Sequence, residues 1–175
     1  MFMIWLVFGP SGVGKTSFGH WLATERHWMH LEIDLEGIDG IDYHDLRAEW
    51  DEFLRGSAHH FRQTIEERMK ASGASDGVLT FPGCFVLTPD CVINASHAGI
   101  GTIYLYSSQK QCLKSFLERE RHSGRNYGRE HWYLNRHDVF AQLRRREYIR
   151  YRVEVFTRGG SRRLHAEVFG ELLKR

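Results

Sequence analysis

The sequence predicts a three-layer α/β protein: a parallel sheet of about five strands with helices on both faces. Three observations predict it. Short apolar runs alternate with helix-period segments along the whole chain. The first run, Met1 to Phe8, is continuously apolar, as a strand buried on both faces should be. A glycine-rich turn then joins that run directly to a helical segment.

The elements run in order along the chain. Met1 to Phe8 is a strand that stops at Gly9. Lys15 to Glu25 is a helix, with Phe18, Trp21 and Leu22 on one face. Trp28 to Asp34 is a second strand ending on a carboxylate, and Gly37 to Asp42 is a loop. Asp45 to Leu54 and Ala58 to Ala71 are helices, the latter with Phe61, Ile65 and Met69 in a stripe. Val78 to Phe81 is a third strand, stopped by Pro82-Gly83. Pro89 to Ala98 is a short helix and Gly101 to Tyr106 a fourth strand. Ser108 to Arg121 is a helix, and Ser123 to Tyr127 a mobile loop that carries glycine and arginine. His137 to Arg150 reads as one long helix, Tyr151 to Phe156 as the last strand, and Ser161 or Arg162 to Leu173 as the closing helix.

Composition narrows the class. The 175 residues suit a single domain spanning 1–175. The hydrophobic share of 42% and charged share of 26% suit a soluble globule. The three cysteines form no CxxC pair, which argues against a disulfide framework or zinc knuckle and for a reducing, cytoplasmic setting. The N-terminal apolar run lacks a charged leader, and no stretch reaches the roughly 18 apolar residues of a membrane span. The net charge of +2 does not by itself imply nucleic acid. Most arginines of the C-terminal third are expected on solvated helix faces.

One motif carries chemistry. Gly9-Pro10-Ser11-Gly12-Val13-Gly14-Lys15-Thr16 matches G-x-x-x-x-G-K-[ST] completely, between a buried strand and a helix. Its N–H groups and the positive end of the helix converge on phosphate oxygens. Lys15 supplies a point charge to the β- and γ-phosphates, and the Thr16 hydroxyl is a ligand for Mg²⁺. Ser17 completes the nucleotide-binding set.

Together with Ser17-Phe18-Gly19-His20-Trp21-Leu22-Ala23, this start resembles the small P-loop kinases: shikimate kinase, gluconate kinase and the nucleoside monophosphate kinases. The resemblance extends to chain length and element order. It implies the P-loop NTPase fold, with ATP and Mg²⁺ as cofactors. It places Asp34 at the substrate hydroxyl and Glu32 in the outer shell of the metal, in a Glu32-Ile33-Asp34 stretch that replaces Asp-x-Asp. It makes Arg62, after Phe61 and before Glu66 or Glu67, the grip on a substrate carboxylate, and Gly83 a substrate contact. A single glycine stands where shikimate kinases carry three, and no aspartate closes the third strand. Arg121 and Arg125 fall on a lid near 119–136 and would stabilise transferred charge, while Arg158 would stack on adenine. The aromatic segment Glu130 to Arg136 has no assigned counterpart, and packing is its default role.

The leading expectation is therefore an ATP-dependent kinase acting on a small-molecule hydroxyl. A nucleoside or nucleotide kinase is the alternative of the same fold. A P-loop regulatory or nucleic-acid-associated protein is the alternative of another class, with nucleic acid not the expected partner. The expected assembly is a monomer or homodimer, with no membrane association.

Overall fold

A computed structural model of the chain describes residues 2–33, 46–83, 85–123, 129–135 and 138–174. Five parallel strands form one sheet in the order β2-β3-β1-β4-β5. They are β1 (Ile4–Phe8), β2 (Met29–Glu32), β3 (Gly77–Thr80), β4 (Ile100–Tyr106) and β5 (Arg152–Glu154). Nine helices are described: α1 (Lys15–Arg26), α2 (Arg47–Leu54), α3 (Ala58–Ser72), α4 (Pro89–His97), α5 (Gln109–His122), α6 (Arg129–Leu134), α7 (Asp138–Leu143), α8 (Arg146–Ile149) and α9 (His165–Leu172). Parallel neighbours need crossovers, and the helices supply them.

The strands are apolar throughout because both faces are covered. Ile4, Leu6 and Phe8 of β1, with Leu79 and Tyr104, pack on Trp50, Phe53, Phe61, Ile65 and Met69 of α2 and α3. Val7, Val78, Ile103 and Leu105 point the other way, onto Phe18 and Leu22 of α1, Phe116 of α5 and Val168 of α9. Side chains alternate along each strand, so two cores flank one sheet. Trp5 lies beside Gly101 in the β1–β4 register. A Cβ at Gly101 would meet the Trp5 ring at 2.4 Å, so the glycine makes room for the indole.

Two expectations change. The long helix expected over 137–150 is two short ones, α7 and α8, parted by Arg145 in an extended conformation. At the end of α7 the Phe140, Ala141 and Gln142 carbonyls still accept backbone N–H groups, and the Leu143 carbonyl accepts an Arg152 guanidinium N–H at 3.0 Å. The break also turns Tyr148 into the core. The closing helix begins at His165, not at 161 or 162. A turn holds the chain back, with Thr157 N–H donating to Ser161 at 2.8 Å, and Phe156 bridges to Arg162. Most C-terminal arginines are exposed, as expected, yet Arg144, Arg152, Arg162 and Arg163 also donate to backbone carbonyls. Of the expected lid, residues 124–128 and 136 lie outside the described residues.

Candidate active site

The phosphate loop leaves β1 at Gly9 and enters α1 at Lys15. Gly14 caps the helix at φ 98°, a left-handed conformation that a side chain would strain. Each backbone carbonyl from Gly9 to Gly14 has a partner. Lys15 Nζ donates to Gly9 at 2.8 Å and to Pro10 at 3.1 Å. The Tyr133 hydroxyl donates to Ser11 at 2.8 Å. Arg162 donates to Val13 at 2.7 Å and to Gly12 at 3.1 Å. The Gly14 carbonyl receives Phe18 N–H and the Ser17 hydroxyl, both at 3.0 Å.

Peptide planarity gives this census its meaning. A plane that commits its carbonyl to the protein presents its N–H on the opposite side. Val13 N–H folds back to Pro10 at 3.3 Å, and the remaining planes form a nest for anionic oxygen. Lys15 is almost wholly buried among these groups.

Tyr133 and Arg162 come from far along the chain. Tyr133, on α6, packs its ring on Phe116 and Phe140 while its hydroxyl reaches the loop. Burial raises its pKa well above the usual range for a phenol, so it remains a donor at every physiological pH. Arg162 lies over the Phe156 ring at 4.6 Å. A Cβ at Gly14 would meet its guanidinium at 2.1 Å. Neither residue carries a sequence signal for this role. Tyr133 reads as a packing aromatic, and Arg162 becomes available only because α9 starts three residues after it.

Thr16 and Glu32 meet across the gap between α1 and β2, with the Thr16 hydroxyl donating to the Glu32 carboxylate at 2.5 Å. Two hard oxygen donors this close suit a divalent cation such as Mg²⁺. Below them His30 Nε2 and the buried Thr80 hydroxyl lie 2.9 Å apart. Burial first, and His20 second, lower the pKa of His30 to about 4, which keeps this layer neutral. The His30 ring fills the place of a side chain at Gly19.

The remaining expected residues divide. Ser17 sits at the loop, 3.4 Å from His165 Nε2. Gly83 presses its backbone on the loop: a Cβ there would meet the Ser11 hydroxyl at 2.2 Å and its N at 2.4 Å. The one glycine kept from the expected triplet is thus needed for contact with the phosphate loop itself. Arg121 is exposed near the end of α5, and Arg158 is exposed in the 157–160 turn. Asp34 and Arg125 lie outside the described residues.

Arg62 requires a correction. Its guanidinium donates to the carbonyls of Phe2 at 2.9 Å, Ala98 at 3.2 Å and Gly99, and pairs with Glu66 at 2.7 Å. Phe2 and Gly99 precede β1 and β4, so Arg62 ties α3 to the sheet's N-terminal end. The phosphate loop is at the opposite end, roughly 23 Å away at about 3.3 Å per strand residue. The sequence pattern around Arg62 serves packing, not a substrate carboxylate.

No family model matches the chain. The fold resembles a gluconokinase from Sinorhizobium meliloti, with 16% identity and a TM-score of 0.51 over 98% of this chain and 90% of that one. It likewise resembles a shikimate kinase from Acinetobacter baumannii solved in complex with shikimate, with 17% identity and a TM-score of 0.51 over 99% and 94% of the two chains. The parallel five-stranded sheet with its loop at the end of β1 is the P-loop kinase fold of those proteins.

Proposed function

We propose that this protein is an ATP-dependent small-molecule kinase that transfers the γ-phosphoryl group to a substrate hydroxyl. The observation that supports it most is the phosphate loop with all six carbonyls from Gly9 to Gly14 engaged. Donors fixed in advance around an anion need no reorganisation as charge shifts during transfer.

Each residue then has a task. Lys15 faces the β- and γ-phosphates as a point charge. Thr16 and Glu32 would hold Mg²⁺, which neutralises phosphate charge when bound. Asp34, two residues beyond Glu32, orients the acceptor hydroxyl and accepts its proton. Arg121 and Arg125 supply charge to the transferring group from the segment after α5. Ser17 lines the nucleotide, and Arg158 stacks on the adenine.

The test is ADP release by the purified protein. Release should be slow with ATP alone and at least about tenfold faster with a correct acceptor. Tight ADP binding without acceleration across a broad panel of hydroxylated compounds would refute the transferase reading. Absence of ADP binding would refute nucleotide chemistry altogether.

A further inference from the structure

An aromatic group packs beyond the carboxyl ends of β1 and β3, and one of its rings, Phe85, is partly exposed. In open α/β sheets ligands bind beyond the carboxyl ends of the strands. A second substrate facing the γ-phosphate would therefore lie beyond the residues that follow β3. Phe8 is the last residue of β1, immediately before the loop. Phe81 comes directly after β3 and stacks on it, with ring centroids 4.4 Å apart. Phe85 stacks on Phe8 at 5.8 Å and on Phe81 at 6.2 Å, and Trp50 of α2 closes the group at 4.8 Å from Phe81 and 5.7 Å from Phe85. Phe8, Phe81 and Trp50 are buried, whereas Phe85 is only partly buried.

This aromatic group is also fixed. At one end Gly83 bears on Ser11 of the phosphate loop. At the other, Leu87 is held through both its backbone groups. Its N–H donates to the Tyr104 hydroxyl at 3.2 Å, and its carbonyl accepts from Tyr148 at 2.9 Å. Phe85 lies between these anchors. Meanwhile the cation expected for a substrate carboxylate, Arg62, is committed at the far end of the sheet.

We propose that the phosphate acceptor is an alcohol bearing a planar aromatic ring, with nucleosides as the representative class, and that Phe85 is the specificity-determining residue on which the ring stacks. Aromatic faces stack sequence-tolerantly on flat π-systems, and a rigid wall orders the ligand with little loss of freedom. The reaction is conserved in atoms and charge. The alcohol oxygen bonds to the γ-phosphorus, the bond from that phosphorus to the β–γ bridging oxygen breaks, ADP leaves, and the hydroxyl proton is released to base. This inference rests on the kinase reading only for where the second substrate sits.

Two measurements test it together. The first is the rate of ADP release with nucleosides and hydroxymethyl heteroaromatics, against gluconate, shikimate and nucleoside monophosphates. The second is equilibrium binding of the same compounds in the presence of a non-hydrolysable ATP analogue. Aromatic alcohols should win by about tenfold or more in kcat/KM and in affinity. Phe85→Ala and Phe85→Leu should each raise the acceptor KM and Kd about tenfold with the KM for ATP unchanged, while Phe85→Trp restores them. Phe85→Leu keeps the apolar bulk, so a fold defect in the alanine variant leaves the result readable. Preference for a carboxylated polyol, no binding of any aromatic alcohol, or indifference to Phe85→Leu would overturn the proposal. Phe85-dependent binding without turnover would instead support the wall and refute the kinase reading.

Discussion

The two sides of the phosphate loop are held by opposite means. On the donor side a lysine, an arginine and a tyrosine hydroxyl bond the loop's carbonyls one by one. On the side proposed for the acceptor four aromatic rings pack against one another, and the polar anchor there is the backbone of Leu87. The difference reflects the kind of order each side must fix. Phosphate recognition depends on the direction of individual N–H dipoles, which only directional bonds can set. An apolar acceptor face needs shape, which close packing sets.

The largest break in this contrast should come from Lys15→Met. Loss of the buried cation should lower kcat/KM for ATP by more than about a hundredfold, read in the ADP-release assay, with the fold retained. Next is Arg162→Met, which frees the Gly12 and Val13 carbonyls. Bonds from a charged donor contribute about 1.5–3 kcal/mol, so the Kd for ADP should rise about ten- to a hundredfold by calorimetry, with Arg162→Lys in between. An unchanged Kd would show that the loop keeps its shape without the brace.

Arg62→Met sharpens the contrast from the other direction. It should lower unfolding free energy by about 2 kcal/mol, since buried carbonyls lose a charged donor, and leave the KM for acceptor and ATP unchanged. A raised acceptor KM would return Arg62 to the substrate side. An effect of similar size, confined to acid pH, concerns His30, beneath the Thr16–Glu32 pair. Its pKa falls from 6.5 unfolded to about 4 folded, so the native state resists protonation that the unfolded chain accepts. This stabilisation is complete above pH 6.5 and is lost as pH falls toward 4. Discounted for partial solvent access, it amounts to about 2 kcal/mol, and His30→Gln should remove that slope from urea melts across this window.

Much of the fold is legible because periodicity and punctuation are local. Ile4 to Phe8, Lys15 to Arg26 and Gly77 to Thr80 lie within a residue or a few of where the sequence sets them, since Gly9, Gly14 and Pro82 mark their boundaries. The 137–150 segment is misread because Arg152, beyond it, donates to the Leu143 carbonyl where the helix breaks, which no local pattern announces. Phe61-Arg62-Glu66 misleads for a related reason. The same residue types at the same spacing suit a substrate grip or a helix-to-sheet tie, and only the helix's placement separates the two.

By itself the sequence determined the layered α/β architecture and the phosphate loop, because both arise from residue spacing along a short stretch of chain. Tertiary structure alone decided which distant groups brace that loop and which rings stand beyond it. Tyr133 and Arg162 reach Ser11, Gly12 and Val13 across 122 to 150 positions of sequence, and Phe85 packs on Phe8 from β1, Trp50 from α2 and Phe81 from the turn after β3. Such contacts depend on how crossovers return to the sheet, a property of packing that the spacing of residues does not encode.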